Sequence, residues 1–467
     1  MSNNPKMPGK LTGGSIQLHL FRMALPMLGG ILAMSIFNLT DTYFIAKLGT
    51  EELAAISFTF PVVMIVGAVA MGLGMGAESV ISRYIGKGRI RQLKRFVTDS
   101  ILLGVLIVGI FSVAGLLTMK PLFHLLGAGD EQIPMIESYM TLWYSCVAVT
   151  IIPMIANSCI RATGDTFTPG MMMVVLAVLN ALLDPVFIFG LFGFPALGIF
   201  GASLATVISM GIGIFISLYI LTRRSMMDWH KPEAAEMLVS WKRILYIAAP
   251  VAGTHMVMPL TSGFITILVA SHGIAAVAAC GAGGRALHFF YMLPIAVGSV
   301  LVPFIGQNSG AGKQERSWEA LKTSFRFSIY YNLGCFLICM FWGEDICGIF
   351  SSDAQVVHIM TIFLLMMHGQ MGLIHVCVHS EFALNAIGKP MYSMRLNLLR
   401  NLILIVPLSF FGGRIFGLWG IFGGVALAQG LSGLVAWAWL GKIFNKDLPA
   451  GTAGDISIEN QLSAQEA

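Results

Sequence analysis

Two acids, Asp41 and Asp184, stand in stretches that otherwise read as membrane-buried helix: 36–46 (IFNLTDTYFIA) and 174–189 (VVLAVLNALLDPVFIF). An ionised carboxylate at bilayer depth costs several kcal/mol, so it faces a wet cavity, pairs with a neighbour, or carries a proton. Asn180 precedes Asp184 by four residues and Asn38 precedes Asp41 by three, spacings that put each pair on one helix face. Pro185 follows Asp184 and removes a backbone N–H, freeing a carbonyl within the span. Tyr139, Asn157 and Thr206 are polar residues of neighbouring spans that surround the acids if they face inward. Low dielectric and a like-charged neighbour both favour the neutral form of a carboxyl, which suits a proton-carrying device. The same carboxylate, amide and hydroxyl oxygens equally suit Na⁺, and the residues leave both ions open.

The elements that position these groups are transmembrane helices. Hydrophobic residues make up 56% of the 467-residue chain and charged residues 11%, against about 25% charged in soluble domains. Mean hydropathy is +0.81. With about 20 apolar residues needed per helical span, the chain divides into twelve: 17–46, 53–80, 96–119, 133–158, 168–192, 197–222, 242–270, 275–304, 324–343, 355–384, 391–412 and 417–441. The short alternating strands of an outer-membrane barrel are not the pattern. The first span reads as retained rather than as a cleaved signal. Of the 28 Lys and Arg, all but Lys47, Lys120, Arg414 and the intraspan Arg285 fall on one side of this topology. The positive-inside rule then puts both termini in the cytoplasm, with the plasma (inner) membrane of a prokaryote as the expected location. The net charge of +5 reflects that loop bias and calls for no nucleic-acid partner. Seven cysteines, mostly inside spans, suggest no disulfide framework.

Landmarks recur about 224 residues apart. Ala24, Leu25 and Pro26 match Ala248, Ala249 and Pro250, and Gly49 matches Gly273. Tyr84 to Gly88 matches Phe304 to Asn308 after a small gap, and Arg161 to Asp165 matches Asn385 to Lys389. Gly198, Ile199, Phe200 and Gly201 recur letter for letter at 420–423. The expected organisation is a cytoplasmic N-terminal segment (1–15), an N-lobe (16–222), a cytoplasmic linker (223–241), a C-lobe (242–444) and a disordered acidic tail (445–467). Such a parallel duplication implies two pseudo-twofold-related six-helix lobes around a central cleft, with alternating access as one lobe rocks against the other. At the matching depth, Asp41 corresponds to Ile265, and Asp184 and Asn180 to Leu408 and Leu404. The ion site is therefore expected in the first half alone.

Other polar residues carry weaker signals. His368, His375 and His379 share one face of the tenth span, with Glu381 beyond; a stripe lining the second half's cavity fits them better than a metal site. His255 and Arg285 are read as hydrogen-bonded within helix packing, with substrate contact as the second reading; Glu78 and Asp99 are read as pairing with Arg83 or Lys94. Met256, Met258, Phe289 and Met292, together with Arg285, His375 and His379, are candidate lining for a cavity that accepts greasy cations. There is no HExxH, GxSxG or Walker A sequence, so no enzyme and no ATP-driven pump is indicated.

Taken together, Pro26 and Asp41 in the first span, Arg161-Ala162-x-Gly164-Asp165 after the fourth, Asn180-x₃-Asp184-Pro185 in the fifth and Gly201-Ala202-Ser203-Leu204-Ala205-Thr206 in the sixth resemble the multidrug and toxic compound extrusion (MATE) transporters. The resemblance covers residues 15–445 and looks most like the DinF-like branch, because the seventh span lacks the acid of the NorM-like branch. It implies an all-α fold with a V-shaped cleft, Asp41, Asn180 and Asp184 as the coupling site, Asn38, Tyr139, Asn157 and Thr206 in support, a first helix that bends when Asp41 is protonated, and export of cationic amphiphiles. The implied partners are small organic cations and the lipid bilayer, acting on a monomer, with no cofactor beyond H⁺ or Na⁺. Two alternatives stand beside it: a lipid or lipid-linked oligosaccharide flippase, and a non-transporting scaffold or channel.

Overall fold

A computed structural model describes residues 11–230 and 233–446. The expected tail falls almost wholly outside the described residues. Among the described residues the regular structure is entirely helical. Nine stretches are long and apolar enough to cross a membrane, and two helix pairs act as bent spans: Ile133–Ser145 with Ala148–Ala162 at 44°, and Ala354–Gly369 with Leu373–Ala386 at 54°. The stretch Pro390–Phe444 has 55 residues, about 82 Å of helix and far more than one bilayer crossing. It breaks at Gly417 (φ 61°, ψ −142°), which makes it two spans and gives the expected total of twelve. The first span is Ile16–Ala46, the fifth Phe167–Phe189, the sixth Gly198–Arg223, the seventh Ala234–Ala270 and the eighth Ile274–Gly310.

The bends have local causes. In the tenth span Met371 and Gly372 are both left-handed (φ 55° and 74°), which no α-helix continues through. The fourth breaks at Cys146 (φ −113°, ψ 15°). Gln370 and Cys146 lie 224 positions apart, so the break belongs to the duplicated unit. Positive-φ glycines keep the same spacing: Gly88 with Gly312, Gly164 with Gly388, and Gly193 with Gly417. The Gly88–Gly312 pair corrects the sequence alignment, since it sets Tyr84 against Asn308 with no gap; the chemically similar Phe304 had drawn the match one helical turn away.

Packing divides the chain into two compact units, Leu25–Ala252 and Leu11–Ala24 with the residues from Gly253 onward. Each division falls inside a span rather than at a loop. In the first unit, Gly72 and Gly76 let the start of the seventh span approach closely; a Cβ on them would lie 2.5 Å from the Ala248 carbonyl oxygen and 2.6 Å from that of Ile244. Arg243 there donates to the Tyr84 hydroxyl. In the second unit the backbone N–H of Leu11 donates to Gln307 Oε1 (3.1 Å), and the Arg316 guanidinium donates to the carbonyls of Leu11, Gly13 and Gly14. The half-span that opens each repeat is thus packed and hydrogen-bonded in the other unit.

Candidate functional site

The first unit assembles most of the predicted polar set. Asn180 and Asp184 are fully buried on one face of the fifth span, and the Asn180 amide donates to Asp184 Oδ1 (3.2 Å) and to Thr206 Oγ1 of the sixth (3.4 Å). Pro185 stays inside the helix, leaving the Ala181 carbonyl without its usual N–H partner. Asp41, from the first span, lies within electrostatic range of Asp184, and both acids lie within range of the buried Tyr139 hydroxyl. Ser203 steadies that arrangement by donating to the Tyr139 carbonyl (3.1 Å).

Hydrogen-bond accounting gives the site its chemistry. Asp41 Oδ1, Asp184 Oδ2, Asn180 Oδ1 and Asn157 Oδ1 are buried oxygens with no donor. A buried acceptor without a partner costs about 1–3 kcal/mol, and no Lys or Arg is paired with either acid among the described residues. Oxygens of this kind can accept a proton or a small hard cation. Asn157 is buried, and among the described residues no hydrogen bond joins it to the acids. Asn38 is exposed and contributes only its backbone carbonyl, which accepts from Thr42 Oγ1 (2.8 Å).

Neighbouring polar residues frame the unit rather than join the cluster. Glu78 pairs with Arg161 (2.6 Å) and Asp99 with Arg95 (3.0 Å), in place of the expected Arg83 and Lys94. Asp165, between the fourth and fifth spans, accepts from the Thr168 backbone N–H (3.0 Å) and hydroxyl and pairs with Arg224 (2.7 Å). Burial opposes its ionisation, but those hydrogen bonds and the Arg224 charge together hold its carboxyl below the usual carboxylate range. The Arg161 to Asp165 motif is accounted for by these two ion pairs and the start of the fifth span.

The second unit departs from expectation. His368, His375 and His379 do not form a cavity stripe; all are buried and committed to packing. Asn332 of the ninth span bridges His368 and His375 through their Nδ1 atoms (3.1 Å each), and His379 Nε2 bonds to the Pro294 carbonyl (2.9 Å). Met292 is likewise in the core, at 1% exposure. Among the described residues no three His, Cys, Asp or Glu side chains are arranged to hold a metal ion. His255 and Arg285, read as packed, are exposed, as are Met258 and Phe289, while Met256 is half-buried.

Sequence reasoning missed Arg400. It lies inside the eleventh span, in a π-helical segment (Leu399–Ile405), and pairs with Glu381 at 3.0 Å. Asn397 Nδ2 donates to the same carboxylate (3.4 Å), and Arg400 Nη1 approaches Cys377 Sγ (3.6 Å). The usable signal was an arginine near the middle of the predicted span 391–412, which the one-sided count of Lys and Arg wrongly absorbed, opposite an acid in the tenth. At the positions matching Asp41 and Asp184, Ile265 packs on an apolar cluster and Leu408 supports a close crossing at Gly424.

The family model described as MatE matches twice, over residues 26–186 and 250–411, and its two matches begin 224 positions apart. A Shewanella oneidensis protein described as "FAD transporter" is 36% identical over 94% of this chain and 97% of its own. The multidrug export protein MepA of Staphylococcus saprophyticus is 26% identical over 89% and 92%. Among solved structures, the Vibrio cholerae MATE transporter VcmN in the bent form superposes with a TM-score of 0.87 at 30% identity, covering 92% of this chain and 97% of that one. Family model, relatives and solved structures all place this chain in one group: it belongs to the MATE family of membrane transporters.

Proposed function

We propose that the protein is a secondary active exporter of small amphiphilic organic compounds, driven by H⁺ or Na⁺ entering the Asp41, Asn180 and Asp184 cluster. One observation carries this reading: a buried set of acceptor oxygens, two of them on carboxylates, with no cationic side chain among the described residues paired to it. Proton or cation occupancy changes the charge of that cluster, and a ligand with different affinity for the occupied and empty states shifts the balance between them. Tyr139 and Thr206 hold the cluster's polar wall, and Asn157 supplies a further buried acceptor. The cluster's confinement to the first unit supports the DinF-like assignment. On this reading the protein works as a monomer in the prokaryotic plasma membrane with both termini cytoplasmic. Organic cations are the first substrate class by kinship with multidrug exporters; the relative described as an FAD transporter adds aromatic phosphates as a second. Everted vesicles with a fluorescent cation test the proposal. Asp41→Asn and Asp184→Asn should each abolish ΔpH- or ΔpNa-driven flux at unchanged expression, and undiminished flux in both would refute the site. Imposing the sodium gradient at fixed pH assigns the ion.

A further inference from the structure

The eighth span carries an unpaired arginine well inside the membrane. Arg285 stands eleven residues beyond Ile274, about 17 Å along the helix, and among the described residues no carboxylate pairs with it. A guanidinium at that depth is not left against hydrocarbon; it faces water or a polar ligand. Its surroundings are open. Ala278, Gly281, Gly284, Arg285, His288 and Phe289 form one exposed face, while Ala279, Gly283 and Ala286 on the opposite side are buried. A Cβ placed on Gly281 or Gly284 would meet nothing within 4 Å, so the floor beside the guanidinium is bare backbone with room for a ligand. Phe289, one turn on and 47% exposed, offers a ring on the same face.

We propose that this face is a substrate subsite for an aromatic amphiphile bearing a phosphate, with Arg285 gripping the phosphate and Phe289 lying against the ring. The planar fork of Arg285 presents paired donors that match two phosphate oxygens. The glycines allow the ligand to approach without steric cost, and the aromatic edge of Phe289 is within one helical turn of the charge. The membrane-embedded acid–base pair of the second unit, Glu381 with Arg400, is self-neutralised and does not compete for the ligand. The inference rests on the exporter reading, and it names the part of the molecule that recognises charge on the cargo.

The test uses the full chain in nanodiscs and two probes that differ only by a phosphate, riboflavin and flavin mononucleotide, followed by quenching of flavin fluorescence. Wild type should bind the phosphorylated flavin about 10- to 100-fold tighter, the span expected for a charge-assisted hydrogen-bond pair. Arg285→Ala should erase that difference and leave riboflavin binding unchanged; Arg285→Lys should restore part of it. Phe289→Ala should weaken both probes equally. Equal binding of the two flavins by wild type, no binding of the phosphorylated one, or an intact preference in Arg285→Ala would each overturn the subsite. The wild-type comparison requires no variant to fold. ΔpH-driven efflux of a fluorescent cation, lost in Asp41→Asn, is scored separately: its failure with phosphate preference intact counts against the exporter reading and not against the subsite.

Discussion

The two units descend from one repeat yet treat buried charge in opposite ways. In the first, Asp41 and Asp184 have no cationic partner among the described residues, where oxygens on both acids, Asn180 and Asn157 also lack donors. In the second, Glu381 is held by Arg400 at 3.0 Å with Asn397 and Cys377 around them, and Asn332 ties His368 to His375. An unsatisfied acceptor cluster can change occupancy at low cost, whereas a closed ion pair resists change, since breaking it strands a charge. The contrast teaches that duplication supplied the scaffold and that, on the proposed function, the ion-coupling acids were kept in, or added to, one copy.

The comparison can be broken most forcefully at the acids. Asp184→Asn should reduce gradient-driven flux to background, and adding a carboxylate at the repeat-equivalent place, Ile265→Asp, should not rescue Asp41→Asn; rescue in vesicle assays would show the units to be interchangeable. Next in size is the second unit's pair. Glu381→Gln leaves Arg400 buried beside an amide and should cost about 3–5 kcal/mol, seen as a large drop in melting temperature, whereas the double replacement Glu381→Leu with Arg400→Met should recover most of it. A stable Glu381→Gln would mean that the pair is not the closed element described. Asn180→Leu removes the amide shared by Asp184 and Thr206, and should lower flux roughly tenfold, near the worth of one hydrogen bond to a charged group, without abolishing it. The smallest effect is expected at Asp165. Its carboxyl is held below the ordinary range in the folded protein, so its contribution is present above about pH 4, the unfolded value, and is lost as pH falls through the lowered folded value. Wild type should therefore melt slightly above Asp165→Asn at pH 7, and the gap should close under strong acid; a gap that widens on acidification would reverse the sign.

Much of this was legible in the chain, and the reasons differ by residue. Span existence follows from long apolar runs, so the first span ends within a residue of its expected bounds (17–46 against Ile16–Ala46). The Asn180 and Asp184 contact follows from helical spacing within one element. Relations between elements were less accessible. Arg161 meets Glu78 across 83 positions, and periodicity cannot choose it over the nearer Arg83. The histidine spacing assumed one continuous helix, but the span breaks at Met371 and Gly372 between His368 and His375; spacing also does not say whether a side chain meets solvent or a neighbouring helix, and Asn332 and Pro294, from other spans, decide it. The π-helical turn at Leu399–Ile405 leaves no compositional mark, and with it Arg400 was overlooked.

The exchanged half-spans have a consequence for how the protein is made. Residues Leu11–Ala24 leave the ribosome well before the partners that hold them, Gln307 and Arg316, which are synthesised about 300 residues later. At about 5–20 residues per second that is a wait of roughly 15–60 s. The first unit, in turn, stays incomplete until Ala252 has been inserted. The first half is therefore not a finished assembly intermediate at the point where its sixth span closes. Cutting the gene between the sixth and seventh spans, after Arg223 and before Ala234, should therefore yield two fragments that insert separately but become protease-resistant only when expressed together.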